Sequence, residues 1–182
     1  MYKRQLSLYA GDAVKQGVPA EELIKSVKYD EVIDAYVVDK EGNRIEGENV
    51  FALLNDLPGA YEAGKFPLFE AKDGRVVIPV TGMGLWGPVW GYVALEKDMN
   101  TMAGIIMAHK GETPGLGAEI ASTHFQGEFS GKKTLENGEV VLGVVKNGKV
   151  EKPDYQVDGI SGGTITSVGV DAMLKACLSS YK

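Results

Sequence analysis

A single cysteine, Cys177, stands among 182 residues. That excludes an internal disulfide and any site built from several thiolates. The only two histidines, His109 and His124, fall on different expected elements with no carboxylate at ligand spacing. No metal site is therefore expected, and both histidines read as solvated or capping residues. Long apolar runs are also missing. A membrane-crossing helix needs about 20 consecutive apolar residues, whereas the best run covers only residues 102–108, between Asn100 and the polar pair His109-Lys110. Lys3 and Arg4 near the start are not followed by an apolar core, so no secretory signal is expected. Basic stretches are absent as well: 19 Lys and Arg against 25 Asp and Glu give a net charge of -6. Such a chain cannot track a phosphate backbone, which excludes nucleic acid as a partner. No nucleophile elbow is present, so serine catalysis is excluded and no catalytic residue is expected.

The sequence does contain enough apolar material for a core. With 44% hydrophobic and 24% charged residues and no internal repeat or composition break, residues 1–182 read as one globular domain. Glycine is the excess: 24 residues, about twice its usual share of roughly 7%. Its uneven placement points to sharp turns or to backbone that approaches a ligand closely.

Residues 18–24 read as a helix start, with Pro19 early and Glu21-Glu22 in the first turn. Residues 32–38 are β-rich, and residues 49–55 form a short helix or a loop. The clearest hairpin joins residues 66–71 to 76–80 through Asp73-Gly74. Residues 89–95 and 101–108 are two further strands. Asn147-Gly148 predicts a hairpin between residues 140–145 and 149–151. Val170, Met173, Leu174, Cys177, Leu178 and Tyr181 recur at helical spacing as one apolar stripe, with Thr166 or Ser167 as the cap. Cys177 on that stripe reads as a buried, inert thiol. Strands joined mostly by hairpins favour an α+β fold, a mainly antiparallel or mixed sheet with packed helices, over a doubly wound sheet.

Three glycine-rich segments carry the possible chemistry. The first spans residues 82–91, with Trp86 and Trp90 beside glycines as walls for a flat aromatic ligand. The second is Gly111-Glu112-Thr113-Pro114-Gly115-Leu116-Gly117. The third, Asp158-Gly159-Ile160-Ser161-Gly162-Gly163-Thr164-Ile165-Thr166-Ser167, runs into the periodic helix. Glycines and hydroxyls at a helix start leave N–H groups free for a phosphate. The third segment is neither a Walker A loop, because no lysine follows, nor a Rossmann fingerprint. Taken alone it is more often a glycine turn with a hydroxyl cap. Together the three segments are compatible with a phosphorylated aromatic ligand.

On those three segments the chain resembles the C subunit of the sodium-translocating NADH:quinone reductase, and more distantly the G subunit of the Rnf-type electron-transport complex. The resemblance covers about residues 82–132 and 158–174. It is carried by Gly84-Leu85-Trp86, the turn at residues 98–101, Glu112-Thr113-Pro114-Gly115-Leu116-Gly117, Glu119-Ile120, Gly131-Lys132 and the third segment. It implies FMN joined by a phosphoester to the threonine of a Ser-Gly-Ala-Thr motif, here Ser161-Gly162-Gly163-Thr164 with Asp158 upstream. The departure is Gly163, where the family usually has alanine. The resemblance puts the flavin on Thr164 rather than Thr166, beside Ile165. It also implies that Leu85, Trp86 and the loop Glu112, Thr113, Pro114, Gly115, Leu116 and Gly117 line the ring. It implies partners: the other subunits of the redox pump and a flavin transferase. An N-terminal membrane helix, absent from this chain, would hold the domain on the periplasmic side of the bacterial inner membrane. The Leu85-Trp86 pair and the turn at residues 98–101 favour the reductase over the alternative, the Rnf-type complex. A non-redox binding module whose glycines are only turns is the remaining reading.

Overall fold

A computed structural model describes residues 32–181; the helix start expected over residues 18–24 lies outside them. Five strands form one antiparallel meander in chain order: β1 (Ile33–Val38), β2 (Phe66–Ala71), β3 (Val76–Met83), β4 (Pro88–Leu95) and β5 (Met102–His109). The Asp73-Gly74 hairpin sets the register of the middle pair, Glu70 opposite Val76. Gly74 takes the left-handed conformation that the turn needs (φ 88°), and its N–H donates to the Ala71 carbonyl at 2.8 Å.

Alternation along these strands divides the core in two. Val76, Ile78 and Val80 of β3 lie on one face with Val89 and Val93 of β4. Val77, Phe69, Tyr92 and Ala94 lie on the other. The second face is capped by Val50 of the one-turn helix α1 (Val50–Leu53), whose Asn49 accepts N–H groups of Phe51 and Ala52. A short 3₁₀ turn then leads into α2 (Leu57–Glu62).

The first face is covered by α4 (Thr164–Ser179), which follows α3 (Thr123–Gly127). Its buried positions include Val170, Met173, Leu174, Cys177 and Leu178, the stripe expected from periodicity. Tyr181 completes it, its hydroxyl donating to the Pro67 carbonyl at 2.7 Å. The architecture is α+β, as expected from the hairpin connections. Burial pushes the Cys177 thiol up, and its sulfur lies 3.5 Å from the Thr81 carbonyl.

Two expectations are corrected. Residues 140–145 and 149–151 do not form a hairpin. Instead β6 (Leu135–Glu136) and β7 (Glu139–Val140) make the tight turn through Asn137 and Gly138, both at positive φ (54° and 80°). β8 (Gly143–Val145) runs parallel to β9 (Gln156–Asp158). The Asn147-Gly148 turn is therefore part of a longer excursion, with Gly148 donating its N–H to Asp158 at 2.8 Å. The helix α4 also begins earlier than its apolar stripe, at Thr164, and neither Thr166 nor Ser167 caps it. Both lie inside the first turn, where the Thr166 hydroxyl bonds to distant Glu112 and that of Ser167 to Ile160 and Gly163 just before the helix.

Candidate functional site

The three glycine-rich segments converge at the N-terminus of α4. β3 and β4 deliver Leu85 and Trp86 at the hairpin between them, with Gly84 donating its N–H to the Gly87 carbonyl at 2.8 Å. β5 ends at His109, whose Nδ1 accepts the Glu112 N–H at 3.1 Å and turns the chain into the second segment. That segment closes in two hydrogen bonds to the Thr113 carbonyl, from Leu116 and Ala118. The third segment follows β9 and is stapled from several sides. The Gly159 N–H donates to the Val145 carbonyl at 2.7 Å, and Asn147 Nδ2 donates to the Gly159 carbonyl at 3.0 Å. Ser167 Oγ accepts the Ile160 N–H at 3.0 Å and donates to the Gly163 carbonyl at 2.9 Å.

Between the segments lies a cavity of about 220 Å³. One wall carries Leu85 and Trp86; another carries Glu112, Thr113, Leu116 and Gly117. Gly162 and Gly163 form the third with Thr164, Ile165 and Thr166. Several residues singled out from the sequence lie outside this lining. Pro114 and Gly115 are exposed, Gly115 with φ 73°. Ser161 faces a neighbouring groove with Asp158. Trp90 sits half-buried within β4 and does not line the cavity.

Apolar side chains left in water concentrate here. Of the large hydrophobic residues exposed among the described residues, Leu85, Trp86, Leu116 and Ile165 all line the cavity, Trp86 being 65% and Ile165 60% exposed. Such clustering on a small domain marks a binding surface. The first helical hydrogen bond of α4 runs from the Ser167 N–H to the Gly163 carbonyl. The N–H groups of Thr164, Ile165 and Thr166 therefore have no acceptor within the helix, and they lie at the positive end of its dipole. Apolar walls beside a helix N-terminus suit a flat ring carrying a phosphate.

Glycine keeps this arrangement open. Gly162 has φ 75°, and a Cβ there would stand 2.6 Å from Leu116 Cδ2. Thr164 and Thr166, two residues apart, have opposite fates. Thr164 is exposed at the cavity rim. Thr166 is 1% exposed, and its hydroxyl donates to Glu112 Oε2 at 2.6 Å.

The residue whose role sequence reasoning missed is Glu112. It is 5% exposed, and it ties all three segments together: Oε1 accepts the Trp86 N–H at 2.8 Å while Oε2 accepts from Thr166. The available signal was its place directly before Thr113-Pro114-Gly115, a carboxylate in an otherwise uncharged loop. His124 is solvated beside Glu128, as expected, and among the described residues no cluster suited to a metal occurs.

The meander, the glycine loops and the phosphate-ready helix start define a domain built to hold a phosphorylated flat cofactor. The model of the FMN-binding domain family matches residues 84–179, and the chain belongs to that family. Its relatives are narrower still. Over 102 residues it is 46% identical to the C subunit of the Na(+)-translocating NADH-quinone reductase of Haemophilus ducreyi, a match covering 56% of this chain and 39% of that protein. The chain thus spans about two fifths of the length of that curated relative. The crystal structure of the corresponding C subunit from Parabacteroides distasonis superposes with a TM-score of 0.78 at 44% identity, covering 90% of this chain and 82% of that one. NqrC of Shewanella oneidensis gives a TM-score of 0.71 at 26% identity, covering 94% and 88%. Among the described residues no helix is long and apolar enough to cross a membrane.

Proposed function

We infer that this chain carries FMN as a phosphoester on Thr164 and works as an electron-carrying subunit of a sodium-translocating NADH:quinone oxidoreductase. The observation that carries this reading is the contrast on the first turn of α4. Thr164 offers an exposed hydroxyl at the mouth of an apolar cavity, while the hydroxyl of Thr166 is buried and committed to Glu112. Relatives named for the sodium-translocating reductase support the choice of that complex over the Rnf-type alternative.

In this reading a flavin transferase presents an activated flavin nucleotide. The Thr164 oxygen forms the new bond to phosphorus, the leaving group departs from that phosphorus, and the hydroxyl proton is lost to solvent. The net gain is one FMN less one water. The N–H groups of Thr164, Ile165 and Thr166 would hold the phosphate, at the helix end whose dipole favours its charge. Leu85, Trp86, Leu116 and Ile165 would hold the ring and shield it from water. The bound group supplies reversible uptake and release of single electrons; the protein supplies position and electrostatics.

A covalent tether suits a carrier that passes electrons between fixed partners, because cofactor occupancy no longer depends on free FMN. The partners would be the neighbouring subunits of the complex, with the domain on the periplasmic side of the bacterial inner membrane. Co-expression with a flavin transferase tests the assignment. The expected result is a flavin-fluorescent band that survives boiling in detergent. A colourless band beside a flavinylated positive control would overturn it.

A further inference from the structure

Glu112 is in the cavity lining, yet its carboxylate is almost fully out of water. It is clasped between two glycines. A Cβ on Gly84 would stand 2.5 Å from Oε1, and a Cβ on Gly117 would overlap Oε2 and stand 2.5 Å from Thr166 Oγ1. Both oxygens accept hydrogen bonds, one from an amide and one from a hydroxyl. Among the described residues no lysine or arginine forms an ion pair with it. A negative charge on a carboxylate in so dry a wall acts on whatever charge develops beside it, and solvent screens it poorly.

We propose that Glu112 is a positioning residue that also sets the redox potential of the flavin, its fixed negative charge opposing the negative charge added on reduction. The proposal rests on the flavin reading above. Glu112→Gln is the discriminating change, since the amide keeps the shape and both contacts. Its oxygen can accept the Trp86 N–H, and its NH₂ can donate to the Thr166 hydroxyl.

The experiment uses the full chain flavinylated by co-expression, with attachment first established by mass and the midpoint potential then read by spectroelectrochemistry. Glu112→Gln is expected to favour one-electron reduction at least tenfold, an upward shift of about 59 mV for a one-electron couple. Thr166→Val, which removes one hydrogen bond and keeps the charge, is expected to move the potential less. Equal shifts in the two variants, or none in Glu112→Gln, would overturn the proposal and leave the flavin reading intact. So would a folded Glu112→Gln protein that takes up no flavin, which would make Glu112 an attachment determinant instead. Wild-type protein that takes up no flavin would sink the flavin reading itself and the proposal with it.

Discussion

The Met83 carbonyl lies so close to Gly169 that a Cβ on Gly169 would overlap it. One turn into α4, the helix backbone thus rests directly on the end of β3, and a Cβ on Gly169 would also stand 3.3 Å from the Gly84 Cα. This approach fixes how far the helix N-terminus stands from Leu85 and Trp86, and so fixes the width of the cavity.

Gly169→Ala must push the helix off the sheet. Overpacking of this kind costs about 1–3 kcal/mol. A lower urea midpoint and weaker flavin uptake are expected together. A variant as stable as the wild type would show that the contact does not constrain the helix.

The two glycines before Thr164 should respond differently. Gly162→Ala forces a side chain into left-handed backbone, at about 1–2 kcal/mol, and pushes Leu116 away from the cavity. Gly163 has φ -108°, which any residue adopts, but a Cβ there would stand 3.0 Å from Ile160 Cγ2. The Ile160 Cβ would stand at 3.1 Å as well, so the effect of Gly163→Ala should couple to Ile160→Gly, which removes both side-chain atoms. A double-mutant cycle in urea is expected to give a coupling of about 0.5–3 kcal/mol; additive effects would show that Ile160 is not the obstacle.

Asp98 should give an acid-side dependence of stability. It accepts the Thr101 hydroxyl at 2.5 Å and the N–H groups of Thr101 and Asn100, with Lys133 at 3.2 Å. The Thr101 hydroxyl foremost, then these amides, hold its carboxyl well below the usual carboxylate range. A depressed folded value contributes stability above the unfolded value of about 3.9 and loses it as pH falls from there. The urea midpoint should decline below about pH 4, and less steeply in Asp98→Asn. Parallel declines would remove Asp98 as a cause.

Trp86 offers a change that touches the cavity and not the fold. Its backbone N–H is held by Glu112, and its side chain is largely exposed. Trp86→Ala should leave stability within about 0.5 kcal/mol, as at most surface positions. In the flavinylated protein the fluorescence of the ring should rise as an adjacent indole is removed. Unchanged fluorescence would place the ring elsewhere.

The meander was legible because its signals are local. Asp73-Gly74 sits between an aromatic-rich run and a β-branched one, and near-continuous apolar stretches mark the strands. The stripe from Val170 to Leu178 marks α4 for the same reason. What was not legible depends on distant partners. Asn137-Gly138 and Asn147-Gly148 are the same dipeptide, yet only the first closes a hairpin. The second lies beside a parallel pair whose partner strand arrives from residues 156–158. At the site the segments could be read, but not their bonding. That Thr166 is buried follows from Glu112, 54 positions away, and no window along the chain contains both. The start of α4 at Thr164 was hidden as well, because Thr166 looks like a cap until its distant partner Glu112 is known, and Ser167 until its bonds to Ile160 and Gly163 are.

Intact mass of the protein co-expressed with a flavin transferase, wild type beside Thr164→Val, tests the central claim most directly. The wild type should gain the mass of one FMN less one water, and the variant should remain folded and unmodified. A variant that gains the same mass would move the attachment away from Thr164. A wild type that gains none, next to an active transferase, would contradict the assignment of a covalent flavin to this chain.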